Sequence, residues 1–223
     1  DLLLTPSPDG DENLLAEGIP KERIKRVGNV MIDSLYSNLE RSKKSEILAQ
    51  LGVTDRYAIV TLHRPSNVDE KDNFTKILGS LEKIGNEIQL VFPLHPRTEK
   101  NAKKFGLYDR LQAIPNVVLT GPVGYLDFVA LMANSTLALT DSGGLQEETT
   151  ALGIPCITLR ENTERPITVS EGTNTIVGCN PDLIESTALQ ALSGHGKAGR
   201  VPELWDGNTA ERIADVLLEH ILR

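Results

Sequence analysis

Four short stretches of this chain carry residues fit to hold and polarise an anion. Thr140-Asp141-Ser142-Gly143-Gly144-Leu145-Gln146-Glu147-Glu148 follows an apolar run and opens a helical one. Two glycines at such a junction let a ligand approach the backbone, and the unpaired N–H groups of a helix start attract phosphate. The same pattern also serves as a plain Ser N-cap with glycines demanded by a tight turn. Thr61-Leu62-His63-Arg64-Pro65 and Leu94-His95-Pro96-Arg97-Thr98 each place a histidine and an arginine just beyond an apolar run. Such pairs can donate charge-assisted hydrogen bonds to a diphosphate; a histidine bonded to a nearby carbonyl is the alternative. In Glu161-Asn162-Thr163-Glu164-Arg165-Pro166, Thr163 is placed to cap a helix whose first turn holds Pro166. Arg165 then faces the same rim, or else sits in a surface salt bridge. Glu148, one turn past the glycines, is placed to accept bonds from ribose hydroxyls, or is a solvated carboxylate beside Glu147.

The elements that must position these residues alternate along the chain. Strands are expected at 57–62, 88–92, 117–119, 136–140, 155–159 and 175–177, with helices over 69–86, 98–105, 126–133, from 143, 181–192 and 209–222. An Asn208-Thr209 pair signals the start of the last helix, and 31–50 reads as one further helix introduced by Val27-Gly28-Asn29. Short apolar strands separated by amphipathic helices define an α/β fold with a doubly wound parallel sheet. Ligands of such sheets bind beyond the carboxyl ends of strands, where all four stretches fall. The segment 193–202 is expected to be an exposed loop, and Trp205 and Asp206 to be structural.

Composition narrows the function. The 223 residues carry a net charge of −8, which argues against a nucleic-acid surface but leaves room for a small anionic ligand held by local cations. No apolar run approaches the ~20 residues of a membrane span. The two cysteines, Cys156 and Cys179, lack metal-ligand spacing and suit a reducing compartment. The chain opens Asp1-Leu2-Leu3-Leu4-Thr5-Pro6, without methionine or a signal peptide, on what reads as a strand entering a turn; a fragment is expected. No metal cluster, nicotinamide fingerprint or nucleophile elbow is present in the sequence, so neither metal nor redox cofactor is expected.

Taken in order, Thr61-Leu62-His63-Arg64, Asn67-Val68-Asp69, His95-Pro96-Arg97-Thr98, Thr140 to Glu148, Thr163-Glu164-Arg165-Pro166 and Glu171-Gly172-Thr173-Asn174 closely resemble the non-hydrolysing UDP-N-acetylglucosamine 2-epimerases. The opening Pro6-Ser7, Asp11-Glu12-Asn13-Leu14, Glu17-Gly18-Ile19-Pro20 and Val27-Gly28-Asn29-Val30-Met31-Ile32-Asp33 resembles that family's inter-domain region. The resemblance implies the second Rossmann-like domain of a B-type glycosyltransferase (GT-B) architecture. Residues 1–28 would be the end of a first domain and its linker, 29–207 the UDP-binding domain, and 208–223 a helix crossing back. It also implies that Ser142, Gly143 and Gly144 bind the diphosphate and that Glu148 holds the ribose. Arg165 and His63 approach phosphates and sugar, with His63 the catalytic candidate; Val123 and Phe128 flank the uracil.

Arg64 and His95 match an activator pocket for a second UDP-N-acetylglucosamine. The carboxylates working at C2 and C3 of the sugar belong to the family's first domain and have no counterpart here, so the chain alone is expected to be inactive. The implied reaction is elimination of UDP to 2-acetamidoglucal and re-addition to give UDP-N-acetylmannosamine, in a cytoplasmic homodimer. A glycosyltransferase of the same architecture, a hydrolysing epimerase and a nucleotide-sugar-binding module without turnover are the competing readings.

Overall fold

The central apolar runs become strands because they are covered on both faces, which favours continuous β-branched and aliphatic sequence over alternation. The computed structural model describes residues 1–53 and 55–222. The first elements are β1 (Leu3–Thr5), α1 (Pro8–Ala16), β2 (Ile24–Arg26), α2 (Val30–Ser42) and α3 (Ile47–Gln50). The βα alternation then runs β3 (Tyr57–Thr61), α4 (Pro65–Val68), α5 (Lys71–Gly85), β4 (Gln89–Pro93), α6 (Pro96–Phe105), α7 (Tyr108–Gln112), β5 (Val117–Thr120) and α8 (Tyr125–Ala133). It closes with β6 (Leu137–Thr140), α9 (Gly143–Leu152), β7 (Cys156–Thr158), α10 (Pro166–Ser170), β8 (Asn174–Ile176), α11 (Pro181–Gln190) and α12 (Thr209–Ile221).

Strands β3 to β8 form a parallel six-stranded sheet in the order β5-β4-β3-β6-β7-β8. Successive side chains feed opposite faces: Ala58 and Val60 join the core under α5 and α11, Tyr57 and Ile59 the core under α2 and α8. The chain leaves β3 toward one edge and returns through β6 toward the other. The carboxyl ends of β3 and β6 therefore flank the switch point of the sheet, where Thr61 is in register with Thr140. The short strands β1 and β2 pair with each other, apart from this sheet.

Some expected helices differ in extent or in how they are capped. The stretch 31–50 is two helices: Ser45 accepts from Ile47 N and donates to Asp127, a side-chain bond that competes with continuing the helix. The helix expected from 69 starts at Lys71, because Asp69 turns to Arg97 and Asn101 on α6. The start of α12 gets no capping bond from the Asn208 side chain; Asp33 of α2 accepts from Ala210 N at 2.7 Å instead.

Two distant segments close the joint between the sheets. Gly28 has φ +100°, and a Cβ there would stand 2.2 Å from the Leu204 carbonyl oxygen, so only glycine fits. Arg212 donates to the carbonyls of Val27 and Leu204, and the buried Trp205 donates its indole N–H to Pro6 O at 3.0 Å. Trp205 and Asp206, which pairs with Arg212, are structural as expected.

Candidate functional site

Three helices start beyond neighbouring strands, and they start differently. Helix α6 begins at Pro96, and His95 Nδ1 caps it by accepting from Arg97 N at 3.1 Å. Helix α4 begins at Pro65, after Arg64. Helix α9 begins at Gly143, and Ser142 stands at the N-cap without a side-chain capping bond. Its first-turn N–H groups thus have neither an intrahelical partner nor a hydroxyl cap, and the helix dipole favours an anion there. The glycines are not there for a strained turn, since neither has a positive φ. A Cβ on Gly144 would meet nothing nearer than Ser142 Oγ at 4.0 Å, and one on Gly143 nothing nearer than Glu164 Oε2 at 3.9 Å. The protein leaves this space open.

Asp141 is the hub of the site, and the sequence reading assigned it no role. It is fully buried and accepts from His63 N, Arg64 N and Asn67 Nδ2 at 2.9–3.1 Å. Its Oδ1 also lies 2.9 Å from His63 Nδ1. A carboxylate on Nδ1 fixes the imidazole tautomer and leaves Nε2 for chemistry. The histidine is therefore bonded to a carboxylate rather than to a carbonyl. Thr61 and Thr140 hydroxyls, 2.6 Å apart, tie the two strand ends together beneath it.

A cavity of about 240 Å³ at the switch point brings together His63, His95, Val123, Phe128 and Ser142, with Pro122 and Leu145 completing an apolar wall. The two imidazoles lie 5.5 Å apart between centroids, tilted by 41°. The other candidates do not line this cavity. Arg64 points its guanidinium toward Glu164, 3.9 Å away, and its buried Nε has no partner among the described residues. Arg97 does not face the cavity as the repeated His/Arg pattern implied; Asp69 holds it in a two-point ion pair. That pair keeps the Asp69 carboxyl below its usual range.

The two glutamates of α9 are buried, not solvated as one reading had it. Glu147 accepts from Asn29 Nδ2 at 3.0 Å and pairs with Arg165 Nε at 2.9 Å. Burial pushes its carboxyl up, and Arg165 opposes that rise. Arg165 is thus half-exposed and anchored from behind. Glu148 has only Tyr125 OH, at 3.4 Å, and burial pushes its pKa up to about 7. Thr163 does not cap α10: its hydroxyl contacts Gln146 Oε1 and accepts from Arg165 N, and Arg165 itself is the N-cap residue. Among the described residues no three His, Cys, Asp or Glu side chains group as a metal site. No described helix is long and apolar enough to cross a membrane.

An open helix start at the switch point of a doubly wound parallel sheet, with an oriented histidine beside it, is the arrangement of a Rossmann-like α/β domain whose switch point suits an anion. The profile of the UDP-N-acetylglucosamine 2-epimerase family matches residues 1–218. A UDP-N-acetylglucosamine 2-epimerase of Methanocaldococcus jannaschii is 38% identical over 96% of this chain and 60% of its own. A UDP-2,3-diacetamido-2,3-dideoxy-D-glucuronate 2-epimerase of Pseudomonas aeruginosa is 37% identical over 97% of this chain and 59% of its own. The crystal structure of the M. jannaschii UDP-GlcNAc 2-epimerase in complex with UDP-GlcNAc and UDP superposes with a TM-score of 0.89 at 39% identity, covering 98% of this chain and 61% of that one. The chain belongs to the UDP-N-acetylglucosamine 2-epimerase family. Its fold is the Rossmann-like kind found in GT-B enzymes, and it spans about 60% of the length of the relatives it matches.

Proposed function

We propose that this chain is the nucleotide-binding part of an epimerase that interconverts UDP-N-acetylglucosamine and UDP-N-acetylmannosamine. The observation that carries the reading is the uncapped, glycine-opened start of α9 beside the Asp141-held His63. In this proposal Ser142, Gly143 and Gly144 take the diphosphate, Glu148 the ribose, and Val123 and Phe128 the uracil. Breaking the C1–O bond while a proton leaves C2 gives 2-acetamidoglucal and puts negative charge on the β-phosphate. The α9 N–H groups, Arg165 and His63 answer that charge from fixed positions. Re-addition of the same UDP after C2 is protonated from the other face completes the epimerisation.

Residues 1–28 belong, in this reading, to the end of a first Rossmann-like domain, 29–207 to the UDP domain, and 208–223 to a helix crossing back. The groups acting at C2 and C3 are assigned to the part of the relatives that these residues do not match. Arg64 and His95 serve a second, activating UDP-N-acetylglucosamine, and the enzyme is a cytoplasmic homodimer.

Proton NMR of UDP-N-acetylglucosamine in D2O with the complete gene product tests the reaction. UDP-N-acetylmannosamine deuterated at C2 is the expected product. An unchanged spectrum from folded, UDP-binding protein would favour a glycosyltransferase or a binding module. The P. aeruginosa relative supports a second reading, in which the sugar is a diacetamido uronate; offering both UDP-sugars in one tube decides between them.

A further inference from the structure

Glu164 stands between two arginines beside the start of α9. Its Oε1 accepts from Arg160 Nη2 at 2.9 Å, and its Oε2 lies 3.9 Å from Arg64 Nη2. The same Oε2 is 3.9 Å from where a Cβ of Gly143, the first residue of α9, would stand. One carboxylate thus faces two guanidiniums and a helix start. Arg160, Arg64 and Arg165 together hold its pKa below the usual carboxylate range, the hydrogen bond from Arg160 contributing most.

The surroundings are short of acceptors even with Glu164 in place. Among the described residues, Arg64 Nε, Arg160 Nη1 and the Nε2 of the fully buried Gln146 are buried donors without a partner. Gln146 reaches this loop through Thr163, the neighbour of Glu164. Buried donors are normally paired, so a cluster of unpaired ones marks a place built for more acceptor oxygens than the chain supplies. Glu164 itself is more than half exposed and free to swing away.

We propose that Glu164 is an internal competitor for phosphate at the α9 start: it accepts from Arg160 there and must yield, or repel, when a diphosphate arrives. The inference rests on the reading of the α9 start as the diphosphate site. Its consequence is an affinity for free UDP set below what the cations alone would give, which keeps the nucleotide exchangeable after turnover.

Glu164→Gln keeps an oxygen for Arg160 and removes the charge. Calorimetry of the intact protein with UDP, inorganic pyrophosphate and uridine reads the effect. Exposed ion pairs of this kind are each weak, so UDP and pyrophosphate should bind about three- to tenfold more tightly to the variant, and the gain should shrink with added salt. Uridine, without charge, should bind equally to both proteins. Unchanged or weaker UDP binding by the variant, or an equal gain for uridine, overturns the proposal while leaving the nucleotide site standing. Failure of UDP to bind the folded wild-type protein overturns both.

Discussion

Replacing Glu148 by glutamine should make the protein more stable and worse at binding, and both effects should appear as pH rises through 7. Burial raises the Glu148 pKa from an ordinary 4.5 to about 7, with Glu147 beside it adding to the rise and the Tyr125 hydrogen bond opposing it. A carboxyl whose folded pKa is raised binds its proton more tightly in the folded state. Its contribution to stability is therefore complete below about pH 4.5 and is lost as pH rises through 7. At about 1.4 kcal/mol for each tenfold change in proton affinity, the folded protein loses about 3 kcal/mol between these limits.

Glutamine has the same shape, keeps an atom for Tyr125 and never ionises. Glu148→Gln should match the wild type near pH 4.5 and exceed it by about 3 kcal/mol at pH 8, or roughly 6–12 °C in Tm for a chain of this size. Thermal unfolding of both proteins from pH 4.5 to 8.5 reads the difference, in which the titration of all shared groups largely cancels. A Tm difference that stays constant across this range refutes the reasoning, because a constant offset cannot come from ionisation at this position. Above pH 7 the same substitution should weaken UDP binding about tenfold, since a hydrogen bond to a charged acceptor is replaced by a neutral one.

Further outcomes follow from the same geometry. Gly144→Ala has room and sits in a helix, so urea unfolding should show stability equal to the wild type or higher by up to ~1 kcal/mol, while calorimetry shows UDP affinity down about tenfold or more. A loss of both would mean that the glycine serves folding. Arg165→Ala in the complete enzyme should lower kcat/KM for UDP-N-acetylglucosamine at least ~10-fold; unchanged kinetics would remove Arg165 from the site. Asp141→Ala strands buried donors from His63, Arg64 and Asn67, so urea unfolding should show a loss of about 3 kcal/mol or more. A loss under about 1 kcal/mol would mean that water replaces the carboxylate.

The central strands were readable because burial on both faces writes them as unbroken apolar runs, and Gly and Pro mark the joints between them. The strand β2 was not readable: Lys25 and Arg26 make it look like surface, and its pairing with β1 depends on residues about twenty positions earlier. Within the site, the helix start at Ser142-Gly143-Gly144 declared itself locally. Asp141 stood in the same motif but drew no role, because its partners lie on the loop after β3, more than seventy residues away, and meet it only through the β3–β6 pairing. An aspartate directly after a strand and before a glycine pair was the available signal. Glu147 offered none: its link to Asn29 spans 118 positions, so a solvated doublet stood open beside the ribose role of Glu148.

The indole bond from Trp205 to the Pro6 carbonyl joins positions 199 apart. Closing so long a loop is entropically costly and slow, so this junction should form after the six-stranded sheet, whose neighbouring strands pair over far shorter spans. Trp205 is the only tryptophan in the chain. Its fluorescence during refolding is therefore expected to report the packing of this joint onto the core beneath α2 and α8, where the indole is buried, while far-ultraviolet circular dichroism follows the bulk of the fold. Two clocks, one for the sheet and one for the joint, are built into a single polypeptide without any label.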